Sequence, residues 1–295
     1  MGVKVGMRDR RLNRRCGHAG QHSSARGFTL IELIVVISLL GILASVGATL
    51  MMRPINAFSN AASAARLSDD ASRALQRMGD ELRHALPNSI RVTSSGADFY
   101  VEFIPLTGVG RYRAQAARSG PLGDALDFAD AADNSFDVLG PMPSLTAASQ
   151  LVIHNLGTLD GDAYSGNNRR SGMVFNAANS VLAFTPNGAF PSDSPSARFA
   201  VVEPPISFAC IGGTAGSGSL HRLSGYGYAA MQPVSLTAAP LNAANSHLLA
   251  AGVTSCAAQM DAALQNLGLL TLRLVLARGE GEATLVQQVA VETTP

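Results

Sequence analysis

The chain has 295 residues, 47% of them hydrophobic and 15% charged, which excludes a disordered polymer and leaves room for one large domain or two small ones. Gly, Ser, Ala and Asn are plentiful and Trp is absent, so long surface loops are expected. The net charge of +1 hides an asymmetry: residues 1–27 carry seven basic residues (Lys4, Arg8, Arg10, Arg11, Arg14, Arg15, Arg26) against the single acid Asp9, so the remainder is net acidic. A mildly acidic remainder argues against nucleic acid as a partner, because phosphate binding needs clustered Lys and Arg.

The first element is apolar. From Leu33 to Met52 there are twenty residues without charge, and a helix of that length spans roughly 30 Å, the thickness of a bilayer core. A basic run in front of such a span is the pattern of a cytoplasmic amino terminus, with the carboxy-terminal part outside. Glu32 stands at the front edge of the span, and Arg26-Gly27 stands just before it. A secretory signal cut after a small residue such as Ala48 fits poorly, since such apolar cores run about 7–15 residues. A plain anchor leaves Glu32 unexplained.

The stretch Arg26-Gly27-Phe28-Thr29-Leu30-Ile31-Glu32-Leu33 resembles the class III signal of type IV pilins and of the pseudopilins of type II secretion. The resemblance implies that a prepilin peptidase cuts between Gly27 and Phe28 and methylates the new amine of Phe28. Glu32 then takes the place of the family's glutamate, fifth in the mature chain. Residues 1–27 would be the leader.

A charge in hydrocarbon costs about 2–3 kcal/mol even on lenient insertion scales. A lone protomer can keep Glu32 near the headgroups, but bundled helices would take it away from water. The Phe28 amine, a cation at neutral pH with or without one methyl group, is then the expected partner in an assembly charge pair with Glu32. Because an unpaired buried charge is strongly disfavoured, such a pair would set axial register.

Beyond the span, Pro54 is expected to kink the helix. Leu67, Ala71, Leu75, Met78, Leu82 and Ala85 then recur at helical spacing as one apolar stripe. Asp69, Asp70, Arg73, Arg77, Asp80, Glu81 and Arg83 fall mostly on the other faces, and Pro87 followed by Asn88 and Ser89 ends the pattern. Residues 28–86 thus read as one long helix whose second half packs on a head; a free-standing coiled coil is the weaker alternative, with about three heptads of small residues.

After Pro87 the period shortens. "SIRV", "FYVEFIP", "QLVIHNL", "RFAVV" and "GYGYAAMQPV" are strand expectations, and "LLTLRLVLA" (269–277) and "TLVQQVAVETT" (284–294) flank "RGEGEA" as a hairpin. The Gly-, Ala- and Asp-rich stretches 114–148 and 157–197 read as loops or small insertions. The fold class is therefore α+β, a long amino-terminal helix followed by a β-rich head at 87–295. The resemblance implies the pilin-like version of it, a helical spine packed on an antiparallel sheet in the periplasm.

"SDDASRALQRMGDELRHALPNSIRV" (68–92), "YVEFIPLTGVGRYR" (100–113) and the closing "QQVAVETTP" are similar to the minor pilins of mannose-sensitive haemagglutinin (MSHA) pili. The resemblance implies a non-enzymatic assembly protein of the inner membrane. Its partners would be the prepilin peptidase, other minor and major pilins, and an inner-membrane assembly platform. A minor pseudopilin of type II secretion is the nearest alternative; a single-pass periplasmic enzyme and a loop-bearing adhesin are more distant ones.

Of the three cysteines, Cys16 lies in the basic leader, while Cys210 and Cys256 can form a disulfide if the carboxy-terminal part is exported. Two buried free thiols are the other reading. No cofactor is expected: His84, His154, His221 and His247 are scattered, without HExxH spacing, paired CxxC or a GxSxG elbow. "GGTAGSGSLHR" (212–222) lacks the Lys-Ser/Thr of a phosphate loop and reads as a mobile loop. Asp160, Asp162 and Asn167 offer alternating oxygens to calcium, but their spacing departs from the EF-hand, and a polar turn is the stronger expectation, with no metal.

Overall fold

The computed structural model describes residues 27–116, 123–158, 161–260 and 268–293, with residues 49–57 described by their backbone alone. All of the expected leader except Gly27 lies outside the described residues, as does Cys16. The chain divides into two compact units, Met1–Asn56 and Ala57–Pro295. One helix, α1 (Leu30–Arg83), belongs to both, and its helical assignment runs on through Pro54.

In the second unit the strands among the described residues are, in chain order, β1 (Arg91–Ser95), β2 (Asp98–Phe103), β3 (Leu106–Arg111), β4 (Ser135–Asp137), β5 (Gln150–Val152), β6 (Arg169–Arg170), β7 (Val174–Asn176), β8 (Val181–Ala183), β9 (Arg198–Val202), β10 (Ile206–Ile211), β11 (Gly218–Ser224), β12 (Asn245–Met260), β13 (Leu269–Arg278) and β14 (Gly281–Ala290). Seven form one antiparallel sheet in the order β1-β2-β10-β11-β12-β13-β14. The arrangement is the expected α+β one, a helix packed on antiparallel sheet.

The stripe read from the sequence is the face that packs. Leu67, Ala71, Leu75, Met78, Leu82 and Ala85 are each at most 4% exposed, and they share one core with Phe103, Phe208, Leu272, Leu274 and Val289 of the sheet. Each fully buried large side chain there is worth about 1.5–3 kcal/mol. The helix lies along β14. A Cβ on Gly79 would come 2.7 Å from Gln287 Nε2, and one on Gly281 would touch Ser63 and Leu67. The helix ends before the expected residue 86, because Leu86 N donates to Ile104 O and Leu106 N to His84 O, so the backbone there is taken by the β2–β3 segment.

The β13–β14 hairpin falls where "RGEGEA" predicts. Arg278 pairs with Gly281 across a two-residue turn in which Gly279 has φ +61°, as primed hairpin turns require. In contrast, "GYGYAAMQPV" is not a strand. Gly225 and Gly227 take φ +78° and +79°, which breaks the pleat and turns the tyrosines inward. Tyr226 OH donates to Glu102, 2.9 Å away, and Tyr228 OH to Glu203 O.

Of the two readings of 114–148 and 157–197, loops or small insertions, the second holds for their described residues. Together with neighbouring segments these build a lobe between β2 and β10, made of two small antiparallel sheets, β3-β9-β5-β6 and β4-β8-β7. The lobe has its own core, in which Phe136 is flanked by Phe199, Tyr112 and Phe184 at ring distances of 5.3, 5.9 and 6.0 Å. Aromatic pairs of this kind add about 0.5–1.5 kcal/mol each beyond burial.

A buried polar seam joins the lobe to the large sheet. Arg91 pairs with the fully buried Glu102, donates to Ala229 O and Ala230 O, and lies 3.5 Å over the ring of Tyr164, a lobe residue. Tyr164 OH donates to Ser89 O, and Asn155 bridges Pro87 O and Ala163 N. Burial pushes the hydroxyls of Tyr164, Tyr226 and Tyr228 well up, so they remain donors. Burial also raises Glu102, against the pull of Arg91 and Tyr226.

Candidate functional site: the helix start at Phe28 to Glu32

The residues of the expected processing signal stand at the beginning of α1. Gly27, Phe28 and Thr29 precede the first helical residue, Leu30, and Phe28 is 82% exposed. Nothing lies within 4 Å of where a Cβ on Gly27 would be. The Gly27–Phe28 bond therefore lies in exposed, non-helical backbone, the form a peptidase must receive.

Thr29 is the helix cap. Its Oγ1 accepts the backbone N–H of Glu32 at 3.3 Å, and its carbonyl accepts Leu33 N at 3.2 Å. Thr-x-x-Glu is the sequence of a capping box, in which the first residue satisfies an orphan N–H of the opening turn. Glu32 thus sits in the first turn, where a carboxylate complements the positive end of the helix dipole. This role of Thr29 was readable from the Thr29–Glu32 spacing but was not part of the sequence reading. Glu32 and Phe28 are both exposed in this chain, and before cleavage the Phe28 nitrogen is a peptide N–H rather than an amine.

Among the described residues, one helical stretch, Leu30–Ala48, is long and apolar enough to cross a membrane. It opens three residues ahead of the expected Leu33 and so includes Glu32. Its side chains are turned to the surroundings: Ile37, Leu40 and Leu43 are 57%, 59% and 67% exposed. The hydroxyls within it are internally satisfied, Ser38 on Ile34 O and Ser45 on Ile42 O, as an apolar medium demands.

Cys210 and Cys256 form a disulfide with Cα atoms 6.5 Å apart. They come from β10 and β12, which are separated by β11 in the sheet. Cys210 stands opposite Leu220 of β11, whereas Cys256 lies three residues beyond Val253, the partner of Gly218 at the start of β11.

The remaining candidates do not converge. His221 Nδ1 and Nε2 lie 3.0 and 2.9 Å from the hydroxyls of Ser246 and Ser219, whereas His154 is 3.1 Å from Ser192. The glycine run 212–218 is a packed turn rather than a mobile loop: a Cβ on Gly218 would stand 2.2 Å from Ile211 O and 2.5 Å from Val253 O. Asp160 lies outside the described residues. Asp162 accepts the N–H of Tyr164 and Ser165, and Asn167 Oδ1 accepts Asp162 N, which is a polar turn. Among the described residues no group of three or more His, Cys, Asp or Glu could hold a metal ion.

Residues 22–48 match the family model of the prokaryotic N-terminal methylation motif. No match is found among the curated proteins or among the solved structures. The match covers 27 of the 295 residues, the stretch that holds Gly27, Phe28 and Glu32.

Proposed function

We propose that this chain, whose residues 22–48 carry the methylation motif, belongs to the type IV pilins and pseudopilins and is a minor pilin that takes part in initiation or at the tip of an MSHA-type pilus. The prepilin peptidase cuts between Gly27 and Phe28, and the new amine of Phe28 is methylated. The protein waits in the inner membrane with its amino terminus cytoplasmic and its head periplasmic, then joins other pilins through the assembly platform.

The observation that carries this reading is the coincidence at the helix start. An exposed, non-helical Gly27–Phe28 bond is followed by a capped first turn holding Glu32, and then by an apolar helical stretch, Leu30–Ala48, whose large hydrophobic side chains are exposed. After cleavage the Phe28 amine stands four residues before Glu32 in the chain. In a bundle of such helices, the amine of the same or a neighbouring subunit neutralises Glu32, as the cost of an unpaired buried charge requires. The MSHA assignment is supported by the wording of residues 68–113 and the carboxy end.

Mass spectrometry of the native amino terminus tests the processing: the chain should begin at Phe28 and weigh one methyl group more than the bare peptide. A start elsewhere, or an intact leader in cells holding the peptidase, overturns it. The second reading, a minor pseudopilin of type II secretion, shares the same signal. Deletion separates the two, with loss of surface pili expected for the first and loss of protein secretion for the second.

A further inference from the structure

We propose that a cleft over Arg169 and Arg170 binds a small carboxylate- or phosphate-bearing ligand, drawn by guanidinium charge that the fold leaves without a counter-ion.

These two residues are the whole of β6, which pairs with β5 at one edge of the small sheet. Arg170 is 1% exposed. Its Nη1 donates to Asn167 O and Arg169 O at 3.0 and 2.9 Å, its Nη2 to Gly188 O at 2.8 Å, and it lies 4.0 Å over the ring of Phe190. Its Nε is buried without a hydrogen-bond partner. Arg169 donates to Ala163 O and Gln150 and stacks 3.5 Å over Tyr228.

Among the described residues, neither guanidinium forms an ion pair with a carboxylate. Asp162 is the acid whose field reaches Arg169, and its carboxylate oxygens already accept the N–H of Tyr164 and Ser165. Carbonyl oxygens and ring faces satisfy hydrogens, but they do not cancel two adjacent positive charges. A desolvated charge left this way is disfavoured unless an anion approaches, and Arg stays protonated at any working pH.

The space for that anion is present. A cleft of about 300 Å³ opens over the pair, rimmed by Ser165, Ser171, Thr185 and Asn187. The rim offers hydroxyl and amide groups and no acid. Gly166, at φ +88°, leaves the approach open, since a Cβ there would come 3.3 Å from Arg169 Nη2. This size falls at the lower end of small-molecule sites, and the lining suits an oxygen-rich anion such as a sugar acid or a phosphate monoester.

The test uses the full, processed protein in detergent. Thermal unfolding is followed against inorganic phosphate and, separately, glucuronate, each compared with chloride at equal ionic strength. Wild type should show a saturable rise in midpoint with at least one anion, as ligand linkage requires; which one responds identifies the acidic group. Arg170→Met should lose the response to the anion, whatever its midpoint without ligand. If that variant does not fold, Ser171→Ala and Asn187→Ala, both on the exposed rim, should weaken the apparent affinity severalfold. No saturable rise with either anion overturns the proposal, and so does an equal rise in Arg170→Met or, where that variant is lost, in both rim variants.

Discussion

Arg222 on β11 donates its Nε to both carboxylate oxygens of Glu81 on α1, at 3.0 and 2.9 Å. Glu81 also takes Arg77 one turn earlier on the same helix. Both ends of the Arg222–Glu81 pair are mostly buried, at 19% and 15% side-chain exposure. The contact therefore ties the outer half of the helix to the middle of the large sheet, beside the core formed by Met78 and Leu82.

Glu81→Ala should lower head stability by about 1–2 kcal/mol, more than a surface pair and less than a fully buried one. Arg222→Ala should cost a similar amount, and the double variant less than the sum. Denaturant unfolding of the three variants checks this; strict additivity would mean the two side chains do not interact.

Reduction of the Cys210–Cys256 bridge, or Cys210→Ser with Cys256→Ser, should cost about 4 kcal/mol on the loop-entropy estimate for a separation of 46 residues. The readout is the unfolding midpoint of the wild type with and without reductant. Equal midpoints would show that the bridge contributes nothing to the head.

Burial lowers the pKa of His221 below its usual 6.5. The folded state thus disfavours the imidazolium, and the unfolded chain takes up the proton first as pH falls. The stability tied to neutral His221 is complete above the unfolded value and is lost as pH drops through the folded one. Thermal midpoints of wild type should therefore fall more steeply than those of His221→Gln between about pH 7 and 5. Parallel profiles would remove His221 as the cause.

Glu32→Ala should still be cut between Gly27 and Phe28 and inserted, because neither step uses the carboxylate. It should enter filaments poorly, because under the proposed charge pair the Phe28 amine would be left without its partner. The comparison is the fraction of subunit in sheared pili against that in membranes, by quantitative blotting. Normal incorporation would refute the charge pair.

What could be read along the chain was whatever repeats locally. The helix stripe from Leu67 to Ala85 was legible because one flat sheet covers one face of α1, so burial follows the helical period. The β13–β14 hairpin was legible because its turn needs a glycine at positive φ and has one, Gly279. The lobe between β2 and β10 was not legible. Its strands are mostly two to six residues long, and its core is gathered from Tyr112, Phe136, Phe184 and Phe199, which are far apart in sequence and share no period. The tyrosines of "GYGYAAMQPV" imitated a strand because alternation alone cannot tell a pleat from a loop whose glycines turn polar rings inward.

The sequence alone determined the match to the methylation motif, the apolar span with its one acid, and the facing stripe of the helix, because each depends on neighbours within a turn or two of the chain. Only the tertiary structure decided that β2 pairs with β10 across the intervening lobe, that Cys210 of β10 meets Cys256 of β12 although β11 lies between those strands, and that Arg169 and Arg170 share a cleft without a carboxylate partner. Those outcomes depend on which distant surfaces bury one another, and no local pattern of residue types encodes that choice.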